Sequence, residues 1–336
     1  YETNFGTDIG FLSNAISLSV DLYQKNSKDL LDIVRTSGMG GEMNKYANDA
    51  SMTTRGVELV LDTRNFKTED FTWSTSVNFA YFNQEITSLA NASNSVFNLV
   101  RETGGNVLGN PRNTLYSYDF AGLNSQGMPL LNLKNGSTDY KDIDFQDRDN
   151  ILSYLKKEGA VDPNITGGLS NTFRYKNWEL NFLITMQAGN KIRKAPLYKG
   201  AGYDDLSVFP REFKNRWVAP GDEALTQIPG IVSQRTLNEE NKAYISIAYS
   251  AYNHSTARVV DGSFVRMKSI SLSYTFDKEV LENLNIGNLT LRLQASNPFL
   301  IYAHKDLNGQ DPEFFRSGGV AYPITPQYTF TINLGI

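Results

Sequence analysis

The sequence predicts an all-β protein whose antiparallel strands form part of a transmembrane barrel. Three observations support this: strict alternation of apolar and polar residues, long connections mixed with very short ones, and no apolar run long enough for a spanning helix. Such a helix needs about 20 consecutive, mainly apolar residues. The mean hydropathy of -0.38 excludes a helical membrane bundle, whereas alternating barrel strands add little to average hydropathy.

Alternation with a period of two places one kind of side chain on each face of a strand. In one such segment Trp178, Leu180 and Phe182 alternate with Glu179 and Asn181. Strong alternation occurs in segments 16–22, 57–62, 73–81, 178–187, 270–276, 289–294 and 328–336, and weaker alternation in 5–12, 115–121, 129–133 and 168–175. Together these segments predict roughly ten strands. A barrel turns the apolar face to lipid, whereas a β-sandwich buries it in a dry core.

Connection lengths favour the barrel. Very short links are predicted at Ser13–Asn14 and Lys176–Asn177, and long extracellular loops near 30–53, 90–113, 134–165 and 190–262. Outer-membrane barrels have tight periplasmic turns and long external loops, and compact domains rarely contain so many long connections.

Aromatic residues gather near the predicted strand ends, where they suit interfacial girdles or, equally, scattered core packing. They are Tyr23, Trp73, Tyr81, Phe82, Tyr175, Trp178, Phe299, Tyr302 and Tyr328.

One strand changes the face on which its apolar residues lie. Val265 and Met267 have one parity, Ile270 and Leu272 the other, with Arg266 between them. This predicts a β-bulge near Ser269 or a strand whose upper part stands clear of the membrane.

Charge and composition limit the chemistry. The net charge of -4 argues against a nucleic-acid partner, and the absence of cysteine excludes disulfides and thiol nucleophiles within this chain. The two histidines are His254 and His304, and only residues 253–255 (Asn, His, Ser) suggest a hydrolytic triad. These neighbours adjoin in a loop rather than meeting across strands, so we expect no enzyme.

No cofactor is predicted, although clustered carboxylates offer the hard oxygen ligands that calcium prefers. The cluster is Asp139, Asp142, Asp144, Asp147 and Asp149. Its spacing departs from the EF-hand pattern, so a solvated loop is the favoured interpretation and a structural calcium ion the alternative.

Substrate contacts are expected in the long loops, where aromatic and amide side chains stack on and hydrogen-bond to sugars or peptides. Packing of the loops against one another explains the same residues. The candidates are Tyr198, Tyr203, Trp217, Tyr244, Tyr249, Tyr252 and Asn253.

The last strand has the alternation that outer-membrane assembly machinery recognises, and a lipid-facing strand has the same pattern. Its apolar residues are Tyr328, Phe330, Ile332, Leu334 and Ile336.

A series of short motifs, in order and over nearly the whole chain, resembles SusC/RagA-type TonB-dependent transporters. The motifs are 1–6 (YETNFG) with 21–23 (DLY), 54–59 (TRGVEL), 115–123 (LYSYDFAGL), 167–180 (GGLSNTFRYKNWEL) with 189–190 (GN), 215–222 (NRWVAPGD), 260–268 (VDGSFVRMK), 296–299 (SNPF) and 311–313 (DPE). Two features depart from the family: the chain finishes on Ile336 rather than an aromatic residue, and Pro298 stands where an apolar residue is usual. A proline removes a ladder donor, so we expect it at the strand's upper edge.

The resemblance implies the C-terminal part of a plugged barrel in the outer membrane of a Gram-negative bacterium. Such transporters have about 22 strands, so the roughly ten strands predicted here make up less than half of the barrel. The implied function is TonB-dependent import of an oligosaccharide, peptide or similar nutrient. The implied partners are a SusD-like lipoprotein lid, TonB, the assembly machinery and the lipid bilayer. Nothing in the chain resembles the plug, the TonB box or the N-terminal extension.

Two other hypotheses remain open at this stage. One is a β-sandwich that binds glycans at the cell surface or in the periplasm without spanning a membrane. The other is an outer-membrane enzyme.

Overall fold

The computed structural model describes residues 1–35, 39–41, 44–89, 96–143, 150–198, 208–239, 242–282, 286–313 and 324–335. The strands are β1 (Glu2–Phe11), β2 (Ile16–Arg35), β3 (Asn44–Lys67), β4 (Phe71–Leu89), β5 (Thr114–Tyr118), β6 (Phe120–Leu123), β7 (Pro129–Leu131), β8 (Leu155–Ala160), β9 (Ile165–Tyr175), β10 (Trp178–Ala188), β11 (Lys191–Arg193), β12 (Val259–Asp261), β13 (Phe264–Thr275), β14 (Asn288–Ala303) and β15 (Gln327–Gly335). The α-helices are α1 (Val96–Leu99), α2 (Gln234–Glu239), α3 (Lys242–Asn253) and α4 (Lys278–Glu282).

Nine strands form one antiparallel sheet in the order β1-β2-β3-β4-β9-β10-β13-β14-β15. Within the described residues β1 and β15 each pair along one side only, so the sheet is open, as expected for part of a larger barrel. The predicted barrel strands at 115–121 and 129–133 are wrong. They form β5, β6 and β7, which pair outside the large sheet as β5–β8 and β6–β7.

Tight turns lie at one end of this sheet. The predicted turn at 13–14 is confirmed, with positive φ angles at Leu12, Ser13 and Asn14. Lys176, at φ 49°, begins the two-residue turn between β9 and β10. Left-handed backbone of this kind lets a few residues reverse the chain.

The long connections gather at the opposite end. They join β4 to β9, β10 to β13 and β14 to β15, and we call them the first, second and third connections. The predicted loop at 30–53 is wrong over most of its length, because the β2–β3 ladder continues to Arg35 and Asn44. The predicted loops 90–113 and 134–165 both belong to the first connection, and β8 lies within 134–165.

Within the part of the chain that the structure describes, no protein layer lies against the apolar face of the large sheet. Of the buried hydrophobic residues in the described part of the chain, only Ile86 and Phe264 belong to the large sheet, and the rest lie in its connections and in α4. By contrast Leu293 is 58% exposed and Leu272 40%. This contradicts the β-sandwich hypothesis, which requires a dry core on that face. Among the described residues no helix has the length and apolar character needed to cross a bilayer.

The outward face also has the dimensions of a bilayer. β10 has 11 residues and runs between two rows of exposed aromatics, Trp178 with Tyr175 at one end and Tyr81 with Tyr302 at the other. At a rise of about 3.3 Å per residue and a tilt near 40°, this span covers about 25 Å, the height of an outer-membrane apolar band.

Two of the predicted girdle aromatics face the other way. Tyr23 and Phe82 share the polar face with Asp21 and Glu58, where they line a groove beside β1 to β4. The Tyr23 ring packs against Gly56, its partner across the β2–β3 ladder. The Tyr23 ring therefore explains why the 54–59 motif has a glycine at position 56, because a Cβ there would overlap the ring.

We expect Gly56→Ala to destabilise the protein by about 1–3 kcal/mol, the usual penalty for overfilling a packed site. Gly40→Ala is the matched control, since a Cβ at Gly40 would meet no atom of the described residues within 4 Å. Urea unfolding of both variants checks this, and the ring clash is the cause if Tyr23→Ser restores the stability of Gly56→Ala. Equal effects at the two glycines would contradict it.

The bulge predicted near Ser269 is confirmed. Opposite β10, Leu183 pairs with Ser269 and Ile184 with Met267, so Lys268 is the additional residue. Pro298 does not lie at the upper edge of its strand as predicted. It sits inside β14 at the matching irregularity, beside Asn297 at φ 50°, and the strand continues to Ala303.

Candidate functional site

The inner face of the sheet is polar and continues into the layer formed by the three connections. Across four adjacent strands one row contains Asn78, Gly168, Thr185 and Arg266. Without the bulge at Lys268, Arg266 would share the outward parity of Ile270 and Leu272. The bulge turns the Arg266 side chain inward instead, because an extra residue reverses the parity of the strand beyond it.

Arg266 anchors the third connection to the inner face. Its side chain is 3% exposed and pairs with Asp311, also 3% exposed, at 2.5 Å between Nη2 and Oδ1. Its Nε lies 3.0 Å from Oε2 of Glu313. Both carboxylates belong to the 311–313 motif of the sequence. The bulge and this motif thus act together, one supplying the inward cation and the other its anions.

The tyrosine cluster (Tyr198, Tyr249 and Tyr252) forms the core of the second connection. Tyr249 and Tyr252 are each 1% exposed, and the Tyr198 and Tyr249 rings meet edge to face at 4.9 Å. The hydroxyls of Tyr198 and Tyr249 donate to the carbonyls of Pro229 and Gly230. Burial raises the pKa of all three phenols, that of Tyr252 to about 12, so they remain neutral.

Asn253 holds the same core together. Its Oδ1 accepts from the backbone N–H groups of Leu197 and Tyr198, and its Nδ2 donates to the Tyr198 carbonyl at 2.7 Å. Four of the seven predicted substrate contacts are therefore enclosed packing residues. Long aromatic loops allowed both interpretations, and burial favours packing for these four.

The remaining candidates differ in position. Trp217 packs over Gly127 and Gly230 and donates from Nε1 to Glu223 Oε2 at 2.9 Å. Tyr244 is 44% exposed, with the Lys141 ammonium 5.3 Å from its ring centre. Tyr203 lies outside the described residues. Substrate contact stays a prediction, and Tyr244 is the described candidate that is open to solvent.

A buried ion triad fastens the second connection to itself. Glu212 accepts from Arg258 and Lys194, each at 2.7 Å, and the three side chains are 11%, 1% and 13% exposed. Burial alone would raise the pKa of Glu212, but Arg258 and Lys194 hold it below its ordinary value.

We expect acidification to weaken this layer through Glu212. A carboxyl with a lowered folded pKa stabilises fully above its ordinary value of 4.5, and this contribution is lost as the pH falls through the folded pKa. Glu212→Gln should lose about 1–3 kcal/mol near neutral pH and lack this acid-induced loss. Hydrogen exchange of the α3 amides near neutral pH and near pH ~4 checks it, and an identical pH response in both proteins would contradict it.

The 253–255 neighbourhood does not form a nucleophile and base pair. The Ser255 hydroxyl, fully buried, donates to the Tyr252 carbonyl at 2.8 Å, and His254 Nδ1 contacts the Ser250 carbonyl at 2.8 Å. Burial lowers the pKa of His254. Both side chains are thus directed at backbone carbonyls of α3.

The carboxylate cluster of the predicted calcium alternative lies only partly within the described residues. Asp144, Asp147 and Asp149 lie outside the described residues, while Asp139 Oδ1 accepts from the Lys141 N–H at 3.0 Å. Across the ranges that the structure describes, no three His, Asp or Glu side chains come together as a metal site.

Sequence reasoning missed Arg193, which joins the first two connections. It is 2% exposed, and its Nη2 donates to the Tyr116 carbonyl at 2.7 Å and to Ser117 Oγ at 3.0 Å. Burial lowers its pKa to about 10. Its partners lie 76 and 77 residues away, so no local pattern identifies it.

Two TonB-dependent receptors are similar in sequence to nearly the whole chain. TonB-dependent receptor P39 of Formosa agariphila is 26% identical over 370 residues, covering 96% of this chain and 33% of the relative. TonB-dependent receptor SusC of Bacteroides thetaiotaomicron is 25% identical over 350 residues, covering 99% of this chain and 31% of the relative. The resemblance to SusC/RagA-type TonB-dependent transporters is confirmed.

The solved RagAB peptide transporter has the same fold over 99% of this chain and 35% of its own, with a TM-score of 0.75 at 24% identity. The RagAB peptide importer in its closed-closed state matches this chain with a TM-score of 0.76. No family model matches the chain. By the coverage of P39 and SusC, the chain spans about a third of the length of the relatives it matches. The predicted fold class, an antiparallel segment of a larger transmembrane barrel, is confirmed.

Proposed function

We propose that this chain forms part of the wall of a transporter that imports a nutrient across the outer membrane with energy supplied through TonB. The observation that carries the proposal is the sheet itself, with an uncovered apolar outer face and a polar inner face against which the connections fold. Relatives named TonB-dependent receptors align with 93–99% of the chain, which supports the same role. Transport rather than catalysis also fits the contacts of His254 and Ser255.

The substrate class in this proposal is an oligosaccharide, a peptide or a similar nutrient too large for simple diffusion. RagAB is described as a peptide importer, which supports testing peptides first. The proposal includes a SusD-like lipoprotein that covers the loop end of the barrel as a lid, and a Gram-negative outer membrane as the location.

Uptake in the native host tests the proposal. Fluorescent peptides and oligosaccharides are supplied to wild-type cells, to cells lacking the complete gene, and to cells lacking TonB. We expect uptake of one substrate class to be lost in both mutants and restored by the gene. Uptake that needs the gene but not TonB would contradict the proposed energy source, and unchanged uptake of every class would contradict import.

A further inference from the structure

A cavity of about 230 Å³ lies where the three connections meet above the inner face. Its wall includes Glu102 of the first connection, Asn190 and Arg193 of the second, and Glu313 of the third. This volume is several times the ~30 Å³ that one water molecule occupies in the liquid.

Besides Glu313 Oε2, which lies 3.0 Å from Arg266 Nε, two polar atoms of residues in this wall have no hydrogen-bond partner within the described residues. Arg193 uses its two terminal nitrogens on Tyr116, Ser117 and Ser255, but its Nε has no acceptor. The Asn190 backbone carbonyl accepts from Gly262, but its side-chain Oδ1 has no donor. Both residues are more than nine-tenths buried. Buried polar groups are nearly always paired, so this pair calls for an acceptor and a donor from elsewhere.

The charges in the wall favour a neutral occupant. Lys191 pairs with Asp261 at 3.1 Å, and Glu313 lies 3.0 Å from Arg266. The other two charged residues of the wall, Glu102 and Arg193, are opposite in sign, so the wall carries no net charge. A ligand gains most here by supplying a neutral acceptor to Arg193 and a neutral donor to Asn190.

We propose that this cavity binds a neutral polar group carrying both a donor and an acceptor, either a carboxamide or a pair of neighbouring hydroxyls. As a subsite on the import path it rests on the proposed function. Binding itself needs no TonB, so it can be measured in the purified full-length protein, and a failure of binding is distinguishable from a failure of uptake.

Calorimetry in detergent provides the test, with triglycine amide and maltotriose as separate probes for the two sources of this chemistry. We expect saturable binding of one probe, weakened roughly tenfold or more by Asn190→Ala. Asn164→Ala is the matched control, because its Oδ1 also has no partner among the described residues, whereas Asn164 lies outside the cavity wall. That variant should bind within about twofold of wild type.

A second measurement does not depend on how the variants fold. A density map of the wild-type protein with the bound probe should show it between Asn190 Oδ1 and Arg193 Nε. The proposal is overturned if neither probe binds at millimolar concentration, if the two asparagine variants weaken binding equally, or if the map shows only water at these atoms.

Discussion

Replacing Arg266 with methionine should destabilise the full-length protein by about 3–5 kcal/mol, because it leaves the buried carboxylate of Asp311 and the partly buried carboxylate of Glu313 without their cation. The Asp311 side chain is 3% exposed and that of Glu313 27%, so Asp311 is almost completely shielded from water. The loss should be largest for the third connection, which these two side chains hold against β13. Urea unfolding in detergent gives the free energy, and hydrogen exchange shows which connection opens first.

Arg174→Met is the matched control for this prediction. Arg174 also pairs with a carboxylate, Glu179, at 2.7 Å, but it is 64% exposed. Exposed ion pairs contribute about 0–1 kcal/mol, so this variant should unfold nearly as wild type does. Replacing Asp311 and Glu313 by leucine in the Arg266→Met background should recover part of the loss. Equal losses for both single arginine variants would contradict the anchoring role of Arg266.

An arginine on the outward face should have the second large effect. Ile270 is 38% exposed and lies opposite Phe182, near the middle of the apolar band. A charge at this depth costs about 2–4 kcal/mol, so Ile270→Arg should lower stability by that amount. Ser271→Arg, one residue along and on the inner face, should change stability by less than about 1 kcal/mol. Unfolding in lipid vesicles checks both, and the reverse order would contradict the assigned faces.

Local patterns predicted the large sheet well because each strand meets lipid on one face and a polar interior on the other. The parity change from Met267 to Ile270 gave the bulge by the same reasoning. Alternation does not show which strand a segment pairs with, so it predicts a barrel strand at 115–121, where β5 pairs with β8 outside the large sheet. By contrast, the alternation that places Leu22 on the apolar face also places Tyr23 on the polar face, so the girdle prediction for Tyr23 neglects the parity of its own strand.

The connections were least predictable because their contacts join residues far apart in sequence. Arg266 and Asp311 are 45 residues apart. Asn253, whose side chain donates to the Tyr198 carbonyl, is 55 residues from Tyr198. Aromatic and amide residues suit both substrate binding and packing, and only their burial separates the two. The anchoring arginines and the cavity at Asn190 therefore required the fold.

Single cysteines at Ile270, Ser271 and Leu272 give the most direct test of the central claim, that this sheet is a barrel wall with lipid outside. The chain contains no cysteine, so each label reports one site on this sheet. In lipid vesicles, spin labels at Ile270 and Leu272 should collide mainly with oxygen, and a label at Ser271 mainly with a water-soluble nickel complex. Equal access of the nickel complex to all three positions would contradict the claim.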